Sequence, residues 1–147
     1  MRVYLDNCVL NRPFDEPSQV RITDEADAKM VIQRAISQDR VELAISFMLL
    51  NGNGRGPNTV ARNHNRDFMM GHHKVCVGTD ELEDIAPLIG EIMSDGIKMA
   101  DATHIACAIH SGCDYFVTTD DRLLRSKDPR IRVRTPVEMV CEAEVCR

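Results

Sequence analysis

Residues 96–124 read GIKMADATHIACAIHSGCDYFVTTDDRLL. Met99, Ala100, Thr103, Ala106, Cys107 and His110 recur at helical spacing, and Ser111-Gly112 closes that helix as glycine does at a helix C-terminus. Tyr115-Phe116-Val117 is a short aromatic and β-branched run suited to a buried strand. Asp101 therefore falls near a helix N-terminus, and Asp120 just past the C-terminal end of a strand. Ligands of open α/β sheets bind at that end. A carboxylate there calls for a positive partner, and a divalent cation suits it.

Working outward, Arg2 to Leu5 is a first strand, ended by Asp6 and followed by Asn7 and a turn-like Asn11-Arg12-Pro13-Phe14-Asp15. Asp6 has two readings: the cap of the next helical turn, or a metal ligand shared with Asp120. Residues 23–38 predict an amphipathic helix opened by Thr23, with Ala28, Val31, Ile32, Ala35 and Ile36 as its apolar stripe. Val41 to Ile45 is a second strand, with Ser46 starting a helix that should end or fray near Gly52, in the glycine-rich run 51–57. A polar, basic helix follows over 59–70, then a strand over 75–77. Thr79 is expected to cap a helix from Asp80 to about Met93, kinked or broken by Pro87. Arg132-Val133 is a weak last strand, and Pro136 opens a short terminal helix. The alternation of strands and helices predicts a single α/β domain over residues 1–147, with a mainly parallel sheet of about five strands and helices on both faces.

Composition narrows the function. Aromatic residues make up 4% of the 147, with no Trp, which argues against a base-stacking platform for single-stranded nucleic acid. The six cysteines form no CxxC pairs, and Cys8 and Cys107 lie in apolar segments, so reduced thiols in a cytoplasmic protein are expected. No apolar run approaches the roughly 18 residues of a membrane span, so no membrane partner is expected. Net charge is −5, unevenly spread. Residues 76–121 hold ten acidic and one basic side chain, while residues 122–134 hold six basic and one acidic, and residues 51–75 four basic and one acidic. An acidic block suited to a metal is thus flanked by basic segments suited to phosphates.

Three blocks, VYLDNCVLNRPFD, LAISFMLLNGNGRGPN and ADATHIACAIHSGCDYFVTTDDRLL, occur in the order and spacing that resemble the PIN-domain nucleases. The resemblance implies a three-layer α/β/α sandwich and one or two Mg²⁺ or Mn²⁺ ions in a carboxylate cluster. It also implies cleavage of RNA phosphodiesters, in many relatives as the toxin subunit of a VapC-type toxin–antitoxin pair. Asp6, Asp101 and Asp120 match the family's aspartates and become the expected catalytic and metal-binding residues. Ser46 matches a supporting hydroxyl position and Thr118 the threonine that orients the last aspartate, with Asn7 beside the first. Asp121 is the fallback ligand. His104 is read as structural, since the family mechanism requires no imidazole. RNA, a cognate antitoxin protein and a second copy of the chain are the partners implied, the last by analogy alone.

The chain also departs from the pattern. The family's glutamate position in the helix after the second strand falls on Gly52, and no carboxylate lies between Glu42 and Asp67. Two functions follow: a ribonuclease in which water or Asn53 fills the gap, or an attenuated domain that binds RNA or protein. A sheet domain whose acidic residues only cap helices is the plainest alternative. Arg55, Arg62, Arg66, Arg122 and Arg125 are the expected phosphate contacts.

Overall fold

The computed structural model describes residues 1–12 and 20–145. Five strands, β1 (Arg2–Leu5), β2 (Glu42–Ser46), β3 (His73–Val77), β4 (Tyr115–Val117) and β5 (Arg132–Arg134), pair in parallel in the order β3-β2-β1-β4-β5. The three inner strands carry the most continuous apolar runs, and Val3, Tyr4, Leu5, Ala44, Ile45, Phe116 and Val117 are all fully buried. That is the pattern of strands covered on both faces. The edge strands alternate instead, with His73, Val75 and Val77 more covered than Lys74 and Cys76.

The helices are α1 (Asn7–Asn11), α2 (Val20–Ser37), α3 (Phe47–Gly54), α4 (Thr59–His72), α5 (Leu82–Met93), α6 (Met99–His110), α7 (Asp121–Leu124) and α8 (Pro136–Glu142). The α2 and α8 helices pack together, as do α5 and α6. The chain runs β1 to β2 to β3 and then returns past β1 to β4, and the right-handed rule for parallel crossovers sets these pairs on opposite faces of an α/β/α sandwich. None of the described helices is long and apolar enough to cross a membrane. The five described cysteines, Cys8, Cys76, Cys107, Cys113 and Cys141, are all free.

Local expectations need five corrections. Helix α2 begins at Val20, so Thr23 lies inside its first turns and does not open it. Helix α3 runs through Gly52 to Gly54. Ser46 caps it by accepting from Leu49 N at 3.1 Å, and the buried Asn53 amide donates to Arg62 O of α4 at 3.0 Å, so tertiary bonds outweigh glycine's poor propensity. Helix α4 continues to His72 and passes without a loop into β3 at His73, whose N–H still bonds Met69 O. Thr79 does not cap α5: it starts a 3₁₀ turn (Thr79–Glu81), and the Glu81 carboxylate accepts from Gly78 N at 2.9 Å. Pro87 lies within α5, whose helical run is continuous from Leu82 to Met93. Pro136 does open α8, helped by reciprocal Thr135–Glu138 capping. Of the proposed turn after α1, Pro13, Phe14 and Asp15 lie outside the described residues, as does Cys146.

Candidate active site at the strand ends

From β1 the chain moves outward to β2 on one side, while β4 flanks β1 on the other. The C-terminal ends of β1 and β4 therefore border the point where strand order reverses, the usual ligand crevice of such sheets. Asp6 directly follows β1, and its N–H donates to Val117 O of β4 at 2.9 Å. Its carboxylate has two tasks. Oδ1 accepts from Asn7 N at 2.8 Å and caps α1, while Oδ2 accepts from Thr118 Oγ1 at 2.9 Å and lies 3.4 Å from the Cys8 thiol. The capping reading of Asp6 is thus shown, by a side chain whose other oxygen meets Thr118 and Cys8.

Thr118 is fully buried, and its Oγ1 also accepts from Asp120 N at 3.1 Å. One hydroxyl therefore fixes the ends of both strands. Asp120 caps α7, with Oδ1 accepting from Arg122 N at 2.9 Å, and the Arg122 guanidinium reaches its two oxygens at 3.4 and 3.3 Å. Burial alone would raise the Asp120 pKa, but these bonds hold its carboxyl below the usual range. Asp121 turns toward Arg21, whose Nη2 lies 3.0 Å from Oδ1, and that contact lowers its pKa.

Asp101 stands in the first turn of α6, partly buried. Its pKa is raised by burial first and then by the negative charges of Asp6 and Asp120. The three aspartates thus share one field. One turn further, the buried His104 lies with Nδ1 2.7 Å from the Tyr4 hydroxyl, which is also 2.6 Å from Ser46 Oγ. Burial lowers the His104 pKa, against the pull of Asp6 and Asp101.

No carboxylate approaches from α3. A Cβ built on Gly52 would run into Asn7 Nδ2 and lie 3.6 Å from Asn7 Cγ, so the Asn7 side chain fills the space beside position 52. Asn53, 6% exposed, spends its amide within the fold: Nδ2 donates to Arg62 O, and Oδ1 accepts from Asn65 Nδ2 at 3.3 Å. Asn65 also donates to Asn11 Oδ1 at 3.0 Å. Asn7 Oδ1 and Asn65 Oδ1 are buried with no hydrogen-bond partner among the described residues.

Among the described residues, no three His, Cys, Asp or Glu side chains are grouped closely enough to hold a metal ion by themselves. Asp120 is drawn toward Arg122, and position 52 offers nothing. The aspartates fit a hard divalent cation in kind, since they offer carboxylate oxygens, and the Asp101 carboxyl has its pKa raised by burial first and then by Asp6 and Asp120.

The basic side chains fall on two sides. Lys98, Arg122 and Arg125 line a cleft of about 410 Å³ that also contains Asp101. Arg62 and Arg66 line another, of about 400 Å³, next to Asn53. Arg62 is partly committed, donating to Gly54 O at 3.3 Å and Thr59 Oγ1 at 3.1 Å, whereas Arg55 is exposed at the end of α3.

Sequence reasoning did not foresee three parts of this arrangement. Cys8 touches the Asp6 carboxylate, and burial, with Asp6 next in weight, pushes its thiol up to about 11. Tyr4 bridges Ser46 and His104, although its place in an apolar strand gave no sign of a polar task. Arg122 pairs with Asp120, a contact that the two-residue spacing at a helix start could have suggested.

A family model described as PIN domain matches residues 3–128. Among solved structures, VapBC2 from Rickettsia felis bound to a DNA fragment from their promoter superposes with a TM-score of 0.60 at 13% identity. The match covers 92% of this chain and 98% of that one. FitAB bound to the IR36 DNA fragment gives a TM-score of 0.55 at 18% identity, covering 92% and 95%. No curated protein matches the chain.

Proposed function

The chain belongs to the PIN domain family, and from that premise we propose that it is a divalent-metal-dependent ribonuclease that acts with an antitoxin protein. The observation that carries the reading is the field at the strand ends. The Asp101 pKa is raised by burial first and then by the charges of Asp6 and Asp120, which close the two strands bordering the switch point of the sheet. Structural ion pairs lower carboxyl pKa values, so like-charge crowding in a crevice marks a functional site.

Asp6, Asp101 and Asp120 would hold Mg²⁺ or Mn²⁺, which supplies an activated water and neutralises charge at the phosphate. Thr118 keeps Asp6 and the Asp120 backbone in register. Lys98 and Arg125 share the Asp101 cleft and bind phosphates next to the scissile one, with Arg55 and Arg66 serving on the α3–α4 side. The antitoxin proposal is supported by the likeness to VapBC2 and FitAB, and co-expression with such a partner would test it by co-purification and loss of cleavage.

RNA cleavage by the whole chain should require Mg²⁺ or Mn²⁺ and disappear in Asp6→Asn and Asp120→Asn. Cleavage that survives chelation would sink the metal mechanism. The bare glycine at position 52 favours a second reading, an attenuated domain that binds RNA without turnover. In that case RNA binding persists, weakening with salt by a log–log slope of roughly −0.7 per phosphate contact, while no cleavage appears at any metal concentration.

A further inference from the structure

Next to the cleft that contains Asp101 lies a second, larger one of about 600 Å³. Asp95, Ile97, Arg122 and Arg125 line both, so the two adjoin along a common wall. We propose that this double cleft leads a single strand of RNA away from the aspartates, held by its phosphates on Lys98, Arg125 and Lys127 whatever its base sequence; this deepens the ribonuclease reading above and rests on it.

The cations around the clefts divide into spent and free. Arg122 sits on Asp120, and Arg130 has Nη2 2.7 Å from Asp128 and Nη1 2.7 Å from Glu91, offsetting both carboxylates. Lys98, Arg125 and Lys127 are exposed and make no hydrogen bond or ion pair among the described residues. They are also ordered. Lys98 lines only the cleft of Asp101, Arg125 the common wall, and Lys127 only the second cleft. Three uncommitted positive charges thus step outward from Asp101, as a phosphate backbone would use them, with Asp95 the opposing charge on the wall. No aromatic side chain lines either cleft, so the grip is on the backbone and not on stacked bases. A recessed cleft admits one strand, whereas an A-form duplex offers a wide, shallow groove to protruding groups. The α3–α4 side is the poorer route. Its cleft contains none of the three aspartates, and Arg62 there is committed to Gly54 O and Thr59 Oγ1.

The four lysines of the chain make the test direct. Lys29 is buried, Lys74 is exposed on the opposite edge strand β3, and Lys98 and Lys127 lie on the track. The whole chain is acetylated in the presence of a chelator, with and without a short single-stranded RNA of mixed sequence, and each lysine is followed by mass spectrometry. RNA should slow labelling of Lys98 and Lys127 several-fold and leave Lys74 unchanged. In parallel, Lys98→Gln, Arg125→Gln and Lys127→Gln should each make the log–log salt slope of RNA binding shallower by about 0.7, one phosphate contact each. Arg34→Gln, the same charge change on the exposed face of α2, should leave the slope as it is. RNA that binds while Lys127 stays as reactive as before would overturn the track and leave the ribonuclease reading standing. So would a slope change in Arg34→Gln equal to that in Lys127→Gln, or equal protection of Lys127 by a duplex of the same length. RNA that fails to bind even at low salt would bring down the ribonuclease reading itself.

Discussion

Thr118 Oγ1 donates to Asp6 Oδ2 at 2.9 Å, joining residues 112 positions apart at the tips of neighbouring strands. The same oxygen receives the Asp120 N–H, so a single fully buried hydroxyl holds the Asp6 carboxylate and the Asp120 backbone on either side of the crevice. Asp6 is thereby held in place by the fold itself, with both carboxylate oxygens bonded.

Thr118→Val keeps the shape and removes the hydroxyl. It leaves Asp120 N–H and one lone-pair direction of Asp6 without their partner, which should cost about 1–3 kcal/mol in urea unfolding. Cleavage should fall about 10–100-fold, the usual loss when an orienting group is removed from a metal ligand. A variant that matches the parent in both measurements would mean that Thr118 only fills space.

Arg122 would act in opposite directions on the metal ion and the RNA proposed for the site. Its guanidinium sits on Asp120 and is itself held protonated by it, so it would compete with a cation for that carboxylate. Arg122→Gln should tighten Mn²⁺ binding several-fold and weaken RNA binding, with a shallower salt dependence. The melting temperature should not move, because the pair is solvent-exposed. Metal and RNA affinities that shift in the same direction would refute the competition.

Lys29 gives a test of the scaffold away from the site. It is 1% exposed, donates to Gln33 Oε1 at 2.6 Å, and has Nζ 5.9 Å from the Phe68 ring centroid. Burial lowers its pKa to about 8 from 10.5. A depressed folded-state pKa means that the fold disfavours the proton. The associated stability is complete above 10.5 and is lost as pH falls through about 8. Lys29→Met should therefore be more stable than the parent at pH 7, and the gap should narrow steadily between pH 8 and 10. A gap independent of pH in urea unfolding would rule out the buried ammonium as its source.

The inner strands were legible because both faces are covered and their residues read as unbroken apolar runs. The aspartates at their ends were legible for the same reason: an acidic residue closing such a run sits at a predictable place. Element boundaries were harder. Helix α3 passes through Gly52, against local propensity, because Ser46 caps one end and Asn53 is tied to α4 near the other. Helix α2 starts at Val20, ahead of the threonine that looked like its cap. Strand β3 gains His73 and Lys74, whose polar side chains suit a sheet edge and gave no strand signal.

Sequence alone determined the parallel sheet and its strand-end aspartates, since periodicity and residue type act locally, while the missing carboxylate at position 52 was visible only through the family resemblance. Tertiary structure decided which side chains meet across the chain. The Asp6–Thr118 bond, the Tyr4 bridge between Ser46 and His104, the Arg122 clasp on Asp120 and the entry of Asn7 beside Gly52 all join or orient groups by geometry that spacing does not encode. The physical reason is that hydrogen bonding and steric exclusion act over a few ångströms in space, whatever the separation in sequence. Gly52 reads as a loss in the sequence, and in the fold it is the room that Asn7 occupies.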